Sequence, residues 1–151
     1  MKKLSQVPTI MLALALLGTS IAFYDAYALY NGQPLWCPPP INGCNEVANS
    51  IYARIYNLPV GYYGVVFYLY MFGLAALFAF DPLSRALRWA AVGYAVVGVG
   101  FSIYFMILQV AFIHAFCVYC LASALTTVLL FIAALAQFRG RAFGLAPTTA
   151  N

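Results

Sequence analysis

Long stretches without charged residues dominate the chain, and their lengths predict its helices. Leu4–Tyr24 contains 21 residues without Asp, Glu, Lys or Arg, Ile55–Phe80 contains 26 and Trp89–Phe138 contains 50. One membrane crossing needs about 20 apolar residues, so the first two runs each predict one helix. The third would be about 75 Å long as one helix, so it must fold back, and its midpoint lies at Ile113 and His114. The pattern predicts four transmembrane helices, near residues 7–29, 60–80, 90–113 and 118–138.

The composition agrees with a protein that lies in the lipid bilayer. Of the 151 residues, 66% are hydrophobic and only 7% are charged, whereas a soluble domain carries about 25% charged residues. This excludes an ordinary soluble domain, a disordered chain and a nucleic-acid-binding protein. We therefore expect an all-α membrane protein, with a single domain formed by a four-helix bundle.

The basic residues predict the orientation of the bundle. With four spans, both termini and the loop at 81–89 share one side, which by the positive-inside rule is the cytoplasmic side. The outer loop at 30–58 and the turn at 114–117 then face outward. A cleaved signal peptide ending near Ala28 is the alternative for the first span. Six of the seven basic residues lie on the cytoplasmic side: Lys2, Lys3, Arg85, Arg88, Arg139 and Arg141.

Two segments outside the spans also have a predicted form. Apolar residues recur at helical spacing from Val47 to Ile55, which indicates a short amphipathic helix in the membrane interface that ends before Pro59. Residues 139–151 contain Gly, Pro and Thr and predict a flexible tail.

All four cysteines lie on the predicted outer side, where disulfides are favoured. Cys37 and Cys44, the first pair, are separated by a run of three prolines and an Asn-Gly turn, which can bring their Cα atoms within the roughly 7 Å that a disulfide requires. Cys117 and Cys120, the second pair, form a C-x-x-C motif at a helix start, where the helix dipole stabilises a thiolate.

Other readings of these cysteines remain open. The first pair can be a structural disulfide, and the second can be two buried apolar side chains. The four cysteines with His114 contain enough ligands for zinc. No group that would orient such ligands is visible in the sequence, and outer thiols face oxidation, so we expect no metal.

Two cysteines in the first outer loop, followed by a C-x-x-C that opens the last of four helices, resemble the vitamin K epoxide reductase (VKOR) family. Ser50 lies six residues after Cys44, where the family has a serine or threonine. Asn57–Gly64 is similar to the family's second-helix start, with Gly64 as the glycine that allows close packing, and Phe116–Ser123 is similar to its active-site segment. The other four-helix family of this kind, the DsbB type, has its C-x-x-C in the first outer loop and its widely spaced cysteine pair in the second. The order in this sequence is the reverse, which favours the VKOR family.

The resemblance implies a quinone-dependent thiol oxidase with Cys37, Cys44, Cys117 and Cys120 as catalytic residues. A reduced thioredoxin-like protein would attack the first disulfide at Cys37, and the Cys44 thiolate released would attack Cys117. Cys120 would then pass electrons to a quinone such as ubiquinone or menaquinone. Many microbial members carry a fused thioredoxin-like domain. We expect none in this protein, and the expected partner is therefore a separate DsbA-like protein outside a prokaryotic cytoplasmic membrane.

Two departures from the mammalian pattern bear on the substrate. The mammalian enzymes have a tyrosine and an asparagine near the quinone, and this sequence has Ala124 and Val60 at the matching positions. This favours reduction of a plain quinone. The alternatives are a vitamin K epoxide or quinone reductase proper, and a non-catalytic membrane protein with structural disulfides.

An aromatic group predicts where a quinone would bind. Tyr63, Phe67 and Tyr68 lie near the outer start of the second span, Tyr104 can face them from the third, and Phe116 precedes the second pair. A hydroxyl of Tyr63 or Tyr68 can replace the missing hydrogen-bond donors. The alternative is that these rings only pack the bundle or anchor it at the interface.

Overall fold

Four long helices form the protein. The computed structural model describes residues 2–39, 43–81 and 84–142, with side chains for 6–39, 43–81 and 84–139. A short helix, a 3₁₀ turn and two two-residue strands lie between the first two long helices. The elements are α1 (Lys2–Tyr30), α2 (Cys44–Asn49), a 3₁₀ turn (Ile51–Ala53), β1 (Arg54–Ile55), β2 (Leu58–Pro59), α3 (Val60–Phe80), α4 (Arg85–Leu108), a π-helical turn (Gln109–Ile113) and α5 (Val118–Ala142).

The predicted four-helix membrane bundle is confirmed. Within the described residues, four stretches are long and apolar enough to cross a membrane: Gln6–Tyr30, Val60–Phe80, Arg85–Ile113 and Val118–Arg139. Large apolar side chains such as Leu17, Leu69 and Ile132 are more than half exposed. Such a surface suits lipid rather than water, because lipid does not penalise exposed apolar area.

Small residues bring the helices close together. α1 packs mainly against α3 and α5, and α4 mainly against α5. A Cβ atom at Gly61 would lie 2.8 Å from the backbone nitrogen of Ala26, so only glycine allows this approach of α3 to α1. The centre of the bundle is filled by the buried side chains of Met11, Tyr68 and Met71.

The third long helix starts earlier than predicted and ends in a wider turn. It begins at Arg85 rather than near residue 90, because the Ser84 hydroxyl accepts a hydrogen bond from the backbone N–H of Leu87 and caps the helix. It ends in the π-helical turn, after which His114 adopts a left-handed conformation with φ 56°. The predicted reversal at residues 113 and 114 is therefore confirmed.

The helix predicted from Val47 to Ile55 is present but much shorter. α2 ends at Asn49, and Ser50 is extended with ψ 155°. The chain then forms a hairpin in which Arg54 pairs with Pro59. Its two loop residues, Tyr56 and Asn57, both have positive φ, which suits a two-residue turn between antiparallel strands.

The last helix is longer than predicted. α5 extends to Ala142, so the first residues of the predicted tail are helical. Residues 143–151 lie outside the described residues, as do residues 40–42, which include Asn42 of the predicted Asn42-Gly43 turn and the last of the three prolines.

Candidate active site

The loop that carries Cys37 is held against α2 by one side chain. The Asn45 side-chain oxygen accepts a hydrogen bond from the backbone N–H of Leu35 at 2.8 Å, and its amide nitrogen donates to the Leu35 carbonyl at 3.3 Å. The Leu35 side chain is buried beneath the loop. The extended segment before Cys37 is therefore fixed to the start of the helix that carries Cys44.

The first pair forms a disulfide, with 6.1 Å between the Cα atoms of Cys37 and Cys44. The predicted approach of the two residues is confirmed. Their surroundings differ, because Cys44 is fully buried whereas Cys37 is only half-buried. A thiol arriving from solvent can therefore reach Cys37 but not Cys44.

The second pair is present as two free thiols at the start of α5. A hydrogen bond from the Cys120 thiol is the largest influence that holds the pKa of the Cys117 thiol below its ordinary value, and the backbone N–H groups of Cys120 and Tyr119 act in the same direction. Burial of Cys117 opposes them. The net effect has the direction predicted for a thiol at a helix N-terminus.

The two pairs meet inside one buried cluster. Cys44 and Cys117 pack together with Ala28 and Leu35, and Cys37 and Cys120 lie at the edge of the cluster. The contact is close, because a Cβ atom at Gly43 would lie 2.7 Å from both the backbone nitrogen and the carbonyl oxygen of Phe116. The residue before Cys44 thus lies directly on the residue before Cys117.

Tyr119 joins α5 to the outer loop. Its hydroxyl donates a hydrogen bond to the Trp36 carbonyl at 2.8 Å. Its ring lies against the ring of Tyr24 from α1, with 5.2 Å between the centroids. The hydrogen bond from Tyr119 holds Trp36, the residue before Cys37, near the second pair.

A cavity of about 680 Å³ opens beside the cysteines and extends into the bundle. Its walls include Cys44, Cys117 and Cys120. The volume lies within the range of about 300–1,000 Å³ found for small-molecule sites. The described residues contain no group of three or more His, Cys, Asp or Glu side chains that could hold a metal ion.

The model of the vitamin K epoxide reductase family matches residues 9–135, which is most of the chain. The chain belongs to the VKOR family. It is therefore a multi-pass membrane protein of an oxidoreductase family, with a pair of cysteines that forms a disulfide. VKOR proteins are in general linked to quinones and generally work with thioredoxin-like partners.

The cavity contains the positions at which this VKOR chain departs from the mammalian pattern. Val60 and Ala124 both line it. Ser50 also lines it, and its hydroxyl donates to the Val47 carbonyl at 2.7 Å, where α2 ends. Gly64 lines it as well, and a Cβ atom there would lie 3.2 Å from the Cβ of Ala22, which agrees with the close packing expected of this glycine.

The structure separates the five aromatic residues predicted to contact a quinone. Tyr63, Phe67 and Tyr68 line the cavity. Tyr104 and Phe116 are not among its described lining residues, and their side chains are 52% and 47% exposed. The part of the prediction that placed these two rings in the pocket is not supported by the structure, because Tyr104 faces outward from α4 and Phe116 lies on the outer turn.

The hydroxyls of the two tyrosines predicted to contact a quinone, Tyr63 and Tyr68, already have protein partners. The Tyr68 hydroxyl donates to the Ser123 carbonyl at 2.7 Å and lies 2.9 Å from the Thr127 hydroxyl. The Tyr63 hydroxyl donates to the Ile55 carbonyl at 3.2 Å. Each phenol has one proton to donate, so these residues offer a quinone the faces of their rings rather than a hydrogen bond.

Sequence reasoning missed two polar residues at the site. Asp25 of α1 lines the cavity and acts electrostatically on Cys117. Gln109 is 1% exposed, and its side-chain oxygen accepts the backbone N–H of Cys117 at 2.9 Å. A signal was present, because a polar residue within a membrane span indicates a functional site, and both residues lie within or at the end of apolar runs.

Proposed function

We propose that this protein is a quinone-dependent thiol–disulfide oxidoreductase that forms disulfides in a separate thioredoxin-like protein. The observation that carries the proposal is the burial of Cys44 and Cys117 in one cluster, with Cys37 at its half-buried edge. This arrangement gives the first pair one sulfur for an external thiol and one for the second pair.

The relay needs two exchanges at defined sulfur atoms. A thiolate of the partner attacks the Cys37 sulfur, the Cys37–Cys44 bond breaks, and Cys44 leaves as a thiolate. The Cys44 thiolate then attacks the Cys117 sulfur of an oxidised second pair, and Cys120 leaves as a thiolate. Attack on Cys37 is favoured over attack on Cys44 because exchange requires direct access to the sulfur.

The second thiol of the partner attacks the partner's own sulfur in the mixed disulfide, and Cys37 leaves as a thiolate. The Cys37 thiolate then attacks the Cys44 sulfur, the Cys44–Cys117 bond breaks, and Cys117 leaves as a thiolate. This restores the first disulfide and leaves the second pair as two thiols. Oxidation of these thiols back to a disulfide releases two electrons and two protons, for which a quinone is the acceptor.

The cavity suits a flat apolar group of this kind. Tyr63, Phe67 and Tyr68 line it, and so do both cysteines of the second pair. These aromatic residues would hold the quinone ring by stacking and edge contacts. Since Val60 and Ala124 replace the polar residues of the mammalian pattern in the cavity wall, a plain quinone is a better substrate than an epoxide.

The charge distribution supports an outward-facing relay. The cysteines lie at the end of the bundle where α1 ends and α5 begins, whereas Arg85, Arg88 and Arg139 lie toward the opposite end. By the positive-inside rule the arginine end is cytoplasmic. The first pair would then meet its partner outside a prokaryotic cytoplasmic membrane.

The test follows quinone absorbance with the purified protein and two reductants, a reduced thioredoxin-like protein and dithiothreitol. We expect catalytic quinone reduction with both. Cys44→Ser should abolish turnover with the protein reductant and retain turnover with dithiothreitol, which can reduce the second pair directly. Equal loss with both reductants would refute the relay. Absence of quinone reduction by the folded wild-type protein would favour a scaffold with structural disulfides.

A further inference from the structure

Gln109 is a buried polar residue that contacts the second pair. It begins the π-helical turn, and its backbone carbonyl accepts hydrogen bonds from the N–H groups of both His114 and Ala115, the latter at 3.2 Å. The side chain is 1% exposed and lines the cavity. A π-helical turn of this kind is frequently found at functional sites.

The Gln109 side chain contacts both cysteines of the second pair. The oxygen accepts the backbone N–H of Cys117 at 2.9 Å. The amide also lies close enough to the Cys120 side chain to interact with it. With the oxygen engaged by the Cys117 N–H, the NH₂ group is the part of the amide that can donate to the Cys120 sulfur.

We infer that Gln109 is a further active-site residue, which positions Cys117 for attack and stabilises the sulfur of Cys120 as the leaving group. When the Cys44 thiolate attacks Cys117, a Cys44–Cys117 bond forms and the Cys117–Cys120 bond breaks. The bonding electron pair leaves with Cys120 as a thiolate. An N–H donor that faces this sulfur stabilises the negative charge that develops there, and a more stable leaving thiolate leaves faster.

The inference rests on the proposed relay, but its test needs neither the protein partner nor a quinone. In a background with the first pair replaced by serine, the second pair is the only dithiol in the chain. Its equilibrium with mixtures of reduced and oxidised dithiothreitol is measured by alkylation and mass spectrometry. If the relay fails but the Gln109 variants shift this equilibrium, only the proposed function is refuted. If the relay operates but the equilibrium does not shift, only the inference about Gln109 is refuted.

Gln109→Met should shift this equilibrium toward the disulfide, because the reduced Cys120 loses its donor while the disulfide loses less. A hydrogen bond contributes about 1 kcal/mol, so we expect a shift of about fivefold to tenfold, which for a two-electron couple is up to about 30 mV more negative. Gln109→Glu matches glutamine in size but lacks the NH₂ group, and should shift the equilibrium in the same direction.

Gln137→Met is the matched control. Gln137 lies in α5, is also 1% exposed, and its side-chain oxygen and nitrogen have no hydrogen-bond partner in the described part of the chain. It should leave the equilibrium unchanged. A residue that only stabilised the fold would lower the melting temperature of both redox forms and leave their ratio intact. The inference would be overturned if either folded Gln109 variant left the equilibrium unchanged or shifted it toward the thiols. If Gln109→Met does not fold, the result for Gln109→Glu decides.

Discussion

Replacement of Gly43 by alanine should disconnect the two cysteine pairs without altering either of them. The added Cβ atom would lie 2.7 Å from the backbone nitrogen and oxygen of Phe116 and 2.8 Å from the Ala115 Cβ. Backbone atoms cannot rotate away as a flexible side chain can. The loop that carries Cys44 must therefore move away from the turn that carries Cys117.

The size of the effect follows from the cost of the steric conflict. Forcing an extra carbon into a packed site costs about 1–3 kcal/mol. The loop can avoid this cost by leaving its position, so the fraction of molecules with Cys44 against Cys117 should fall about fivefold to 150-fold. Transfer between the pairs should slow by the same factor, since exchange requires contact of the two sulfurs.

The assay compares quinone reduction driven by a reduced thioredoxin-like protein with that driven by dithiothreitol. Gly43→Ala should lower the first rate by the factor above and leave the second near the wild-type value. Gly73→Ala is the control, because a Cβ atom there meets nothing within 4 Å, and it should retain both rates. Wild-type turnover of Gly43→Ala with the protein reductant would refute the claim that this contact positions the relay.

Two further predictions concern the second pair and the cavity. In reduced protein with the first pair replaced by serine, the pH midpoint for peptide-level alkylation of Cys117 should be low for a thiol, since the Cys120 thiol lowers the pKa of Cys117. Cys120→Ala should raise this midpoint, and an unmoved midpoint would contradict the assigned cause. Phe67→Ala should raise the quinone KM about fivefold, because an aromatic contact contributes about 1 kcal/mol and Phe67 lines the cavity. Tyr104→Ala, outside the described cavity wall, should keep the wild-type KM, and equal effects of the two substitutions would place the pocket elsewhere.

The long helices were predictable because membrane thickness and charge set their lengths. The region from Ser50 to Pro59 was not, since Ile51, Tyr52 and Ile55 have helical spacing although they lie in a 3₁₀ turn and a strand. Helical spacing is a weak signal over two turns, and the left-handed pair Tyr56 and Asn57 determines the local path.

The cavity wall was only partly predictable for a different reason. In a soluble protein an apolar face indicates the interior, but lipid and a quinone pocket are both apolar. Phe67 and Tyr104 therefore look alike in the sequence, although one lines the cavity and the other is 52% exposed. Polar residues within the spans carry more information, and Gln109 shows this, because it is buried against Cys117.

The central claim is that electrons pass between the pairs through a Cys44–Cys117 bond. The double variant Cys37→Ser/Cys120→Ser leaves only these two cysteines in the chain. After mild oxidation and proteolysis, mass spectrometry should find Cys44 linked to Cys117 within one molecule in high yield. The matched variant Cys37→Ser/Cys117→Ser, which leaves Cys44 and Cys120, should give much less of its cross-link. Failure of the folded first variant to form the Cys44–Cys117 bond, or equal yields in both, would contradict the account.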